Sequence, residues 1–397
     1  MKVLFVPMPE GGPAHLIPLL ALDRMLSNPS VETAFLLRGP HHELVRQLGV
    51  NVLDVDHRNF ADNGFRTELR AYRLFKPDLV VDDASLTTGY AAAFAGLPRV
   101  AIQRTGMFPG DRPSDPSHGH SIKFLGDIKD LPDVSFLGLR RHRAFPDFFE
   151  ARTKVVPGVP SLEVLPEELR DDPSYHFAGP LLLADLFIRQ FGELQPGSLD
   201  VNPLRRFEPL EAFFEKQRGR RVVYLTFGTM ARASSPIFEC VRHLLDGGAA
   251  VVSSVRPEGL TGRQEEAYYY GGYLPMHYVC SKVDLMIHQC GSGTYHYPIL
   301  HGVPAITVGT RCFDREHVAL RLAQRGVSVH LPAPDECEDF VTLFKEAVGR
   351  YFDPSGEFME EKKRRLAALN EEIRETSAAF DFESVLRKTV ASPAKNA

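Results

Sequence analysis

Two α/β domains, each built on a doubly wound parallel sheet, are predicted by three features of the chain. Short apolar runs alternate with helical stretches through the first half. The alternation lapses at residues 189–206, where Gln195-Pro196-Gly197-Ser198 and Asn202-Pro203 fall, and restarts at Arg221–Phe227. A chain of 397 residues also exceeds what one ordinary core holds. The expected division is 1–188 for an N-terminal domain, 189–206 for a linker, 207–378 for a C-terminal domain and 379–397 for a final helix.

The elements follow in order. Val3–Val6 reads as a buried strand, Ile17–Leu26 as an apolar-faced helix, Thr33–Leu37 as a strand, His42–Leu48 as a helix and Asn51–Val55 as a strand. Arg66–Phe75 is helical, Pro77–Val81 enters a strand, Tyr90–Ala95 is a helix closed by Gly96, and Arg99–Ile102 is the next strand. Residues 103–150 break the rhythm with Gly106, Pro109, Gly110, Pro113, Pro116 and Gly119, then Phe145-Pro146-Asp147-Phe148-Phe149. Such a segment is a surface loop or a substrate-binding lid, and its aromatic residues suit an apolar guest. Val164–Leu169 and Tyr175–Leu183 resume order. In the second half Leu210–Gln217 is a helix, Arg221–Phe227, Ala249–Ser253, Leu285–Ile287 and Ala305–Val308 are strands, and Glu338–Phe352, Gly356–Thr376 and Phe380–Val390 are helices.

Composition narrows the function. Hydrophobic residues make up 44% and charged residues 24%, as in soluble globular proteins. A net charge of −5 argues against a general nucleic-acid binder. The five cysteines show no Cys-x-x-Cys spacing, which argues against a zinc site and a disulfide framework and for a cytoplasmic location. The apolar run before Pro7 is too short for a signal peptide, and no apolar run is long enough for a membrane span.

Two stretches carry chemistry. Val283–Tyr295 is an apolar strand running into Gln289-Cys290-Gly291-Ser292-Gly293-Thr294, followed by a helical run that returns through Gly302-Val303-Pro304 to Ala305–Val308. Small residues, hydroxyl donors and the positive end of a helix suit a phosphate or diphosphate. His296 stands where a dinucleotide fingerprint would have its third glycine, so no nicotinamide or flavin cofactor is expected. In the first half, His15 sits at the entrance of the helix that contains Pro18. A positive helix end disfavours imidazolium, and a carboxylate at the end of the strand before Asp82-Asp83 can fix the ring's tautomer. A His–Asp pair without an activated nucleophile suits deprotonation of a substrate hydroxyl or amine. Asp54-Val55-Asp56 reads as two loop aspartates, and neither His118 with His120 nor His296 with His301 has metal-ligand spacing.

These residues carry a resemblance. The His-x-x-Pro-Leu core within Gly12–Leu20, Pro77–Asp83, Leu225–Thr229, Gly272-Tyr273-Leu274-Pro275 and His288–Pro304, in that order, resemble the nucleotide-sugar-dependent glycosyltransferases of the GT-B fold. The branch is that of bacterial natural-product enzymes related to plant UDP-glycosyltransferases. The resemblance implies two facing Rossmann-like domains, no metal or cofactor, and an inverting transfer from a TDP- or UDP-sugar to a small aromatic or apolar acceptor. By this resemblance His15 is the base and Asp83 its carboxylate partner, with Asp82 as the alternative. Donor contacts fall at Thr226, Gly228, Thr229, Tyr273, Leu274, Gln289, Gly291, Ser292, Gly293, Thr294, Asp314 and Arg315. Acceptor contacts fall at Met8, Gly12, Phe108, His118 and Phe136. The final helix crosses back to the N-terminal domain in relatives, and a homodimer is one assembly open to the chain.

The chain departs from the pattern where Gln289 takes the place of the phosphate-contacting histidine and Cys290 that of the first glycine. Gln289 can donate a hydrogen bond but cannot become cationic. The acidic-Gln pair that reads sugar hydroxyls falls at Phe313-Asp314 without a gap and at Asp314-Arg315 with a one-residue shift. A nucleotide-sugar 2-epimerase and a non-catalytic nucleotide-sugar-binding protein are the competing readings.

Overall fold

The computed structural model describes residues 1–8, 13–37, 45–46, 48–53, 55, 64–109, 145–183, 203–227, 235–256, 258–271, 274–310 and 312–391. Residues up to Leu183, joined by those from Ile373 onward, form one compact unit, and residues 203–372 form the other.

The first unit is a six-stranded parallel sheet in the order β2-β1-β3-β4-β5-β6. Its strands are β1 (Lys2–Pro7), β2 (Glu32–Phe35), β3 (Leu79–Asp83), β4 (Arg99–Ile102), β5 (Thr153–Val156) and β6 (Tyr175–Phe177). Helix α1 (Pro13–Met25) follows β1, α2 (Gly64–Phe75) precedes β3, and α3 (Thr88–Ala95) precedes β4. β1, β3 and β4 read as nearly unbroken apolar runs because helices cover both faces of such a sheet. Pro18, expected in the first turn, is the sixth residue of α1, so its missing N–H removes one intrahelical hydrogen bond. On one face Leu4, Val6, Val80, Ala71, Tyr72 and Phe75 form the core.

The second unit is a six-stranded parallel sheet in the order β12-β11-β10-β7-β8-β9. Its elements are α4 (Pro203–Lys216), β7 (Val222–Thr226), α5 (Ser235–Asp246), β8 (Ala250–Ser253), α6 (Arg263–Glu266), β9 (Tyr268–Tyr270), α7 (Met276–Cys280), β10 (Leu285–His288), α8 (His296–Leu300), β11 (Ala305–Val308), α9 (Phe313–Gln324), β12 (Ser328–Leu331), α10 (Phe340–Tyr351) and α11 (Glu357–Ala379). Leu225, Ile287 and Ile306 meet Val241, Leu244, Phe340 and Phe344 in its core. The last helix, α12 (Phe382–Ala391), belongs to the first unit. There Asn28 donates to Glu383 at 2.9 Å, the Thr153 and Thr389 hydroxyls pair at 2.8 Å, and Phe382, Val385 and Leu386 are buried.

Both sheets are the parallel, doubly wound kind read from the sequence. Four strands were not anticipated: β5, β6, β9 and β12 are only 4, 3, 3 and 4 residues long, and Lys154 and His330 interrupt two of them. The expected strand at Asn51–Val55 reduces to a bridge between Val52 and Phe35. Most of the helix expected at His42–Leu48, residues 110–144 of the lid-like segment and residues 189–202 of the expected linker lie outside the described residues, and Pro203, within the expected linker 189–206, is already helical.

What positions the first unit's site is the turn after β3. Ala84 there adopts a left-handed φ of 56°, a conformation that costs a non-glycine residue on the order of 1 kcal/mol. The buried Glu68 of α2 holds this turn by accepting from the hydroxyls of Thr87, Ser85 (3.5 Å) and Tyr72 (2.9 Å). Burial pushes the Glu68 carboxyl from 4.5 up to about 7, against the hydrogen bonds from Thr87 and Tyr72. The folded protein therefore keeps a proton that the unfolded chain releases earlier. The stability this contributes is complete below pH 4.5 and is lost as the pH rises through about 7. Glu68→Gln, uncharged at every pH, is expected to exceed the wild type in unfolding free energy by on the order of 3 kcal/mol at pH 8 and to approach it below pH 5. Urea unfolding at the two pH values measures this; a difference independent of pH would assign the effect to packing instead.

Candidate active site

In an open α/β sheet, ligands bind beyond the carboxyl ends of the strands where the strand order reverses. The first sheet reverses between β1 and β3, and the second between β7 and β10. The residues singled out from the sequence lie at both reversals.

At the first, the ends of β1 and β3 are in register, Val6 with Asp82 and Pro7 with Asp83. His15, in the first turn of α1, places Nδ1 2.9 Å from Asp83 Oδ1. Its side chain is 22% exposed while that of Asp83 is 0% exposed, so the ring alone reaches a ligand. Successive residues of a strand point to opposite faces. Asp83 accordingly meets His15, and Asp82 turns to Arg99, which donates from Nε at 2.7 Å and from Nη2 at 3.0 Å. Arg99 also donates to the carbonyls of Phe148 at 2.8 Å and Glu150 at 3.1 Å, tying the 3-10 turn Phe145–Phe149 to the sheet. A side chain at Gly89 would come within 2.8 Å of Arg99 Nη1, so glycine there makes room for the guanidinium.

Sequence reasoning missed Arg104. Two residues beyond β4, it is 6% exposed and grips Asp83 with both prongs, Nη1 to Oδ1 at 2.9 Å and Nη2 to Oδ2 at 2.7 Å. Nη1 also stands 3.3 Å from His15 Nδ1. The next residue, Thr105, donates its N–H and its hydroxyl to the buried Glu163, each at 2.7 Å, which anchors the segment. Burial pushes the Asp83 carboxyl up, but Arg104 and His15 outweigh it and hold it below the usual range. Burial wins at Asp82, which is raised despite Arg99. The sequence signal was a lone arginine after a strand, which without the fold reads as a surface cation.

The acceptor residues expected here separate. Met8, half-buried, packs with Ala84, Tyr90, Met107, Phe148 and Phe149 beside the β3 turn. Phe108 is 0% exposed and packs against Val156, Leu165 and Tyr175, so core packing takes up its side chain. Gly12, His118 and Phe136 lie outside the described residues.

At the second reversal, β10 ends in His288, in register with Thr226 of β7 and Thr307 of β11. His288 is wholly buried and neutral, its basicity pushed down to about 3 by burial, and its Nδ1 accepts the Cys290 N–H at 3.1 Å. Cys290 has a left-handed φ of 51° with its thiol buried. A cysteine thus takes the conformation that a glycine would adopt freely. The helical run expected after Thr294 is α8, which starts at His296, and residues 292–295 before it form turns. The amides of Thr294 and Tyr295 return to Gly291 O, at 2.7 and 3.2 Å, whereas those of Ser292 and Gly293 have no partner among the described residues. The Gln289 Oε1 is buried and likewise unpartnered.

Asp314 and Arg315 lie in the first turn of α9, within electrostatic reach of Cys290. The Cys290 thiol is pushed well up by burial first, then by Glu316 and Asp314, with Arg315 opposing. Glu316, absent from the expected set, accepts the Thr310 N–H at 2.5 Å and meets His330 Nε2 at 2.9 Å, while His330 Nδ1 meets Thr307 Oγ1 at 3.0 Å. This chain of bonds fixes the start of α9 to the ends of β11 and β12. Thr226 Oγ1 accepts from Ser254 at 2.9 Å, and Leu274 is buried. Gly228, Thr229 and Tyr273 lie outside the described residues. No group of three or more metal-ligating side chains occurs among the described residues.

No protein-family model matches the chain. No curated protein matches it either. Solved structures do match, over nearly the whole length. The spinosyn forosaminyltransferase SpnP is similar at 19% identity with a TM-score of 0.68, covering 99% of this chain and 100% of its own. UGT71G1 of Medicago truncatula, complexed with UDP-glucose, is similar at 15% identity and a TM-score of 0.68, with 98% and 97% covered. The spinosyn rhamnosyltransferase SpnG, complexed with thymidine diphosphate, is similar at 19% identity and a TM-score of 0.64, with 98% and 99% covered. With two six-stranded parallel sheets flanked by helices, the chain has the two-domain α/β fold of these transferases, the GT-B fold.

Proposed function

We propose that the protein is an inverting glycosyltransferase that moves a sugar from a TDP- or UDP-sugar to a small aromatic or apolar acceptor. The single observation that carries this reading is the His15–Asp83 pair at the reversal of the first sheet, with the ring exposed and the carboxylate buried. Transferases are the enzymes whose fold the chain shares, which supports the reaction class.

The chemistry follows from the atoms. Asp83, held ionised, accepts the proton on His15 Nδ1 and leaves the lone pair on Nε2. Nε2 takes the acceptor's hydroxyl proton as the acceptor oxygen attacks the anomeric carbon. The bond from that carbon to the diphosphate oxygen breaks on the opposite face, so configuration inverts, and the nucleoside diphosphate leaves with the bonding pair. In the second unit the N–H groups of Ser292 and Gly293 and the Gln289 side-chain amide are the donors proposed for the departing phosphates. Thr226, Gly228, Thr229, Tyr273, Leu274 and the Asp314-Arg315 pair complete the proposed donor set, and the half-buried Met8, packed on the core cluster around Phe148, is the proposed apolar contact for the acceptor. The first unit thus serves the acceptor and the second the donor, with no metal or cofactor.

His15→Ala is expected to reduce kcat by about 10²- to 10⁴-fold while nucleoside-diphosphate-sugar affinity, measured by calorimetry, stays within a few-fold of wild type. Donor binding by wild type without transfer to any acceptor in a broad panel would support a non-catalytic binding protein, and epimerisation of UDP-N-acetylglucosamine without acceptor would support the epimerase. Asp83→Asn, which keeps the shape but removes the charge that selects the Nδ1–H tautomer, is expected to lower kcat by a similar factor. Retention of wild-type kcat in that variant would remove Asp83 from the mechanism.

A further inference from the structure

One face of the first unit carries cations and apolar side chains that neither its core nor its candidate site uses. Helices α2 and α3 pack against each other, and the Phe65 and Phe94 rings meet edge to face at 5.8 Å between them. Thr67, Glu68, Ala71, Tyr72 and Phe75 form the buried side of α2. The opposite stripe, at helical spacing, is Arg66, Arg70, Arg73 and Leu74, all exposed, and the exposed Lys76 follows it. These four cations make no ion pair among the described residues. The carboxylate that α2 contains, Glu68, is buried, and α3 contains none. The next carboxylate along the chain, Asp78, accepts the Lys2 amide N–H at 2.7 Å. Two large apolar side chains stand on the same outer surface, Leu74 at 62% and Phe94 at 48% exposure. Ala93, Ala95 and Gly96 extend the apolar surface around Phe94.

We propose that this face of α2 and α3 docks on an anionic phospholipid bilayer, with Arg66, Arg70, Arg73 and Lys76 meeting the headgroup phosphates and Leu74 and Phe94 entering the acyl boundary. The inference stands on this face alone and is independent of the transferase reading. Charge complementarity carries it. With a net charge of −5, the protein as a whole is repelled by an anionic surface. At physiological salt that repulsion is screened beyond about 8 Å, whereas a face held against the headgroups acts inside that distance. A patch of cations free of carboxylates therefore decides both whether the protein binds and which way round it lies. Guanidinium groups suit this role because they donate two hydrogen bonds at once to phosphate oxygens.

The apolar pair distinguishes a bilayer from an acidic protein as the occupant. Exposed leucine and phenylalanine side chains gain by leaving water for acyl chains, and a surface of carboxylates offers them nothing comparable. Binding is peripheral, since no helix among the described residues is long and apolar enough to cross a membrane.

Co-sedimentation of the full chain with lipid vesicles tests the proposal. Wild type is expected to bind vesicles of mixed phosphatidylcholine and phosphatidylglycerol, to ignore vesicles of phosphatidylcholine alone, and to be released as salt is raised. Arg70→Gln combined with Arg73→Gln is expected to weaken partition by about 25-fold, about fivefold for each charge. Leu74→Ser combined with Phe94→Ser is expected to weaken it by about tenfold or more while leaving the salt dependence unchanged. Arg218→Gln combined with Lys345→Gln removes the same charge from exposed positions in the second unit, and binding is expected to stay within about twofold of wild type. Circular dichroism and the unfolding midpoint check that each variant is folded; should Phe94→Ser not fold, Leu74→Ser alone takes its place. Wild type that ignores the mixed vesicles overturns the proposal. So does binding that the α2 arginine variant leaves unchanged, or that the second-unit variant weakens equally. Loss in the arginine variant with none in the apolar variant overturns the bilayer as occupant and, with binding to polyglutamate, assigns the face to an acidic protein.

Discussion

Two aspartates in succession at the buried end of β3 impose a demand that the rest of the first unit meets. Each is wholly buried, and an unpaired buried carboxylate is costly enough that it would rather take up a proton. Because successive strand residues face opposite ways, one partner cannot serve both. Arg99 arrives on one face from the start of β4, and Arg104 on the other from the segment beyond it. The first pairing does structural work, since Arg99 also holds the carbonyls of Phe148 and Glu150 and so seats the aromatic turn. The second leaves Asp83 ionised with its Oδ1 toward His15.

The same turn is under local constraint. Ala84 at φ 56° and the Thr87, Ser85 and Tyr72 hydroxyls converging on Glu68 keep the strand end from relaxing away from α1. Backbone strain at a strand end persists only where the surroundings over-determine it. The second unit shows the parallel device: Cys290 at φ 51°, locked by its N–H to the wholly buried His288. In each unit a non-glycine residue in a left-handed conformation ends the strand beside the reversal of the sheet, where the candidate site lies.

The alternation of apolar runs with helical stretches was legible because a sheet covered on both faces leaves its strands hydrophobic along most of their length, as in Val3–Val6, Leu79–Val81, Val222–Leu225 and Leu285–Ile287. β5, β6, β9 and β12 were not legible: none exceeds four residues, and in β5 and β12 Thr153, Lys154, Ser328 and His330 give the pattern of a loop. Part of the site could be read for a similar reason. His15 lies at the start of the helix after β1, Asp83 closes β3, and Ser292 and Gly293 lie in a small-residue turn that advertises its own backbone.

Residue types and their spacing therefore determined two parallel-sheet units, a histidine at a helix entrance, an aspartate at a strand end, and a small-residue turn after β10. They could not determine strand order, because identical alternation is compatible with several orders and only packing in three dimensions selects one. That order brings β1 beside β3, and β10 beside β7, and so creates the reversals at which the candidate residues gather. Which aspartate serves as partner to His15 was decided by the pleat of β3. Whether an arginine stands beside that pair was decided by the distance in space between Arg104 and Asp83, which a separation of 21 positions along the chain conceals.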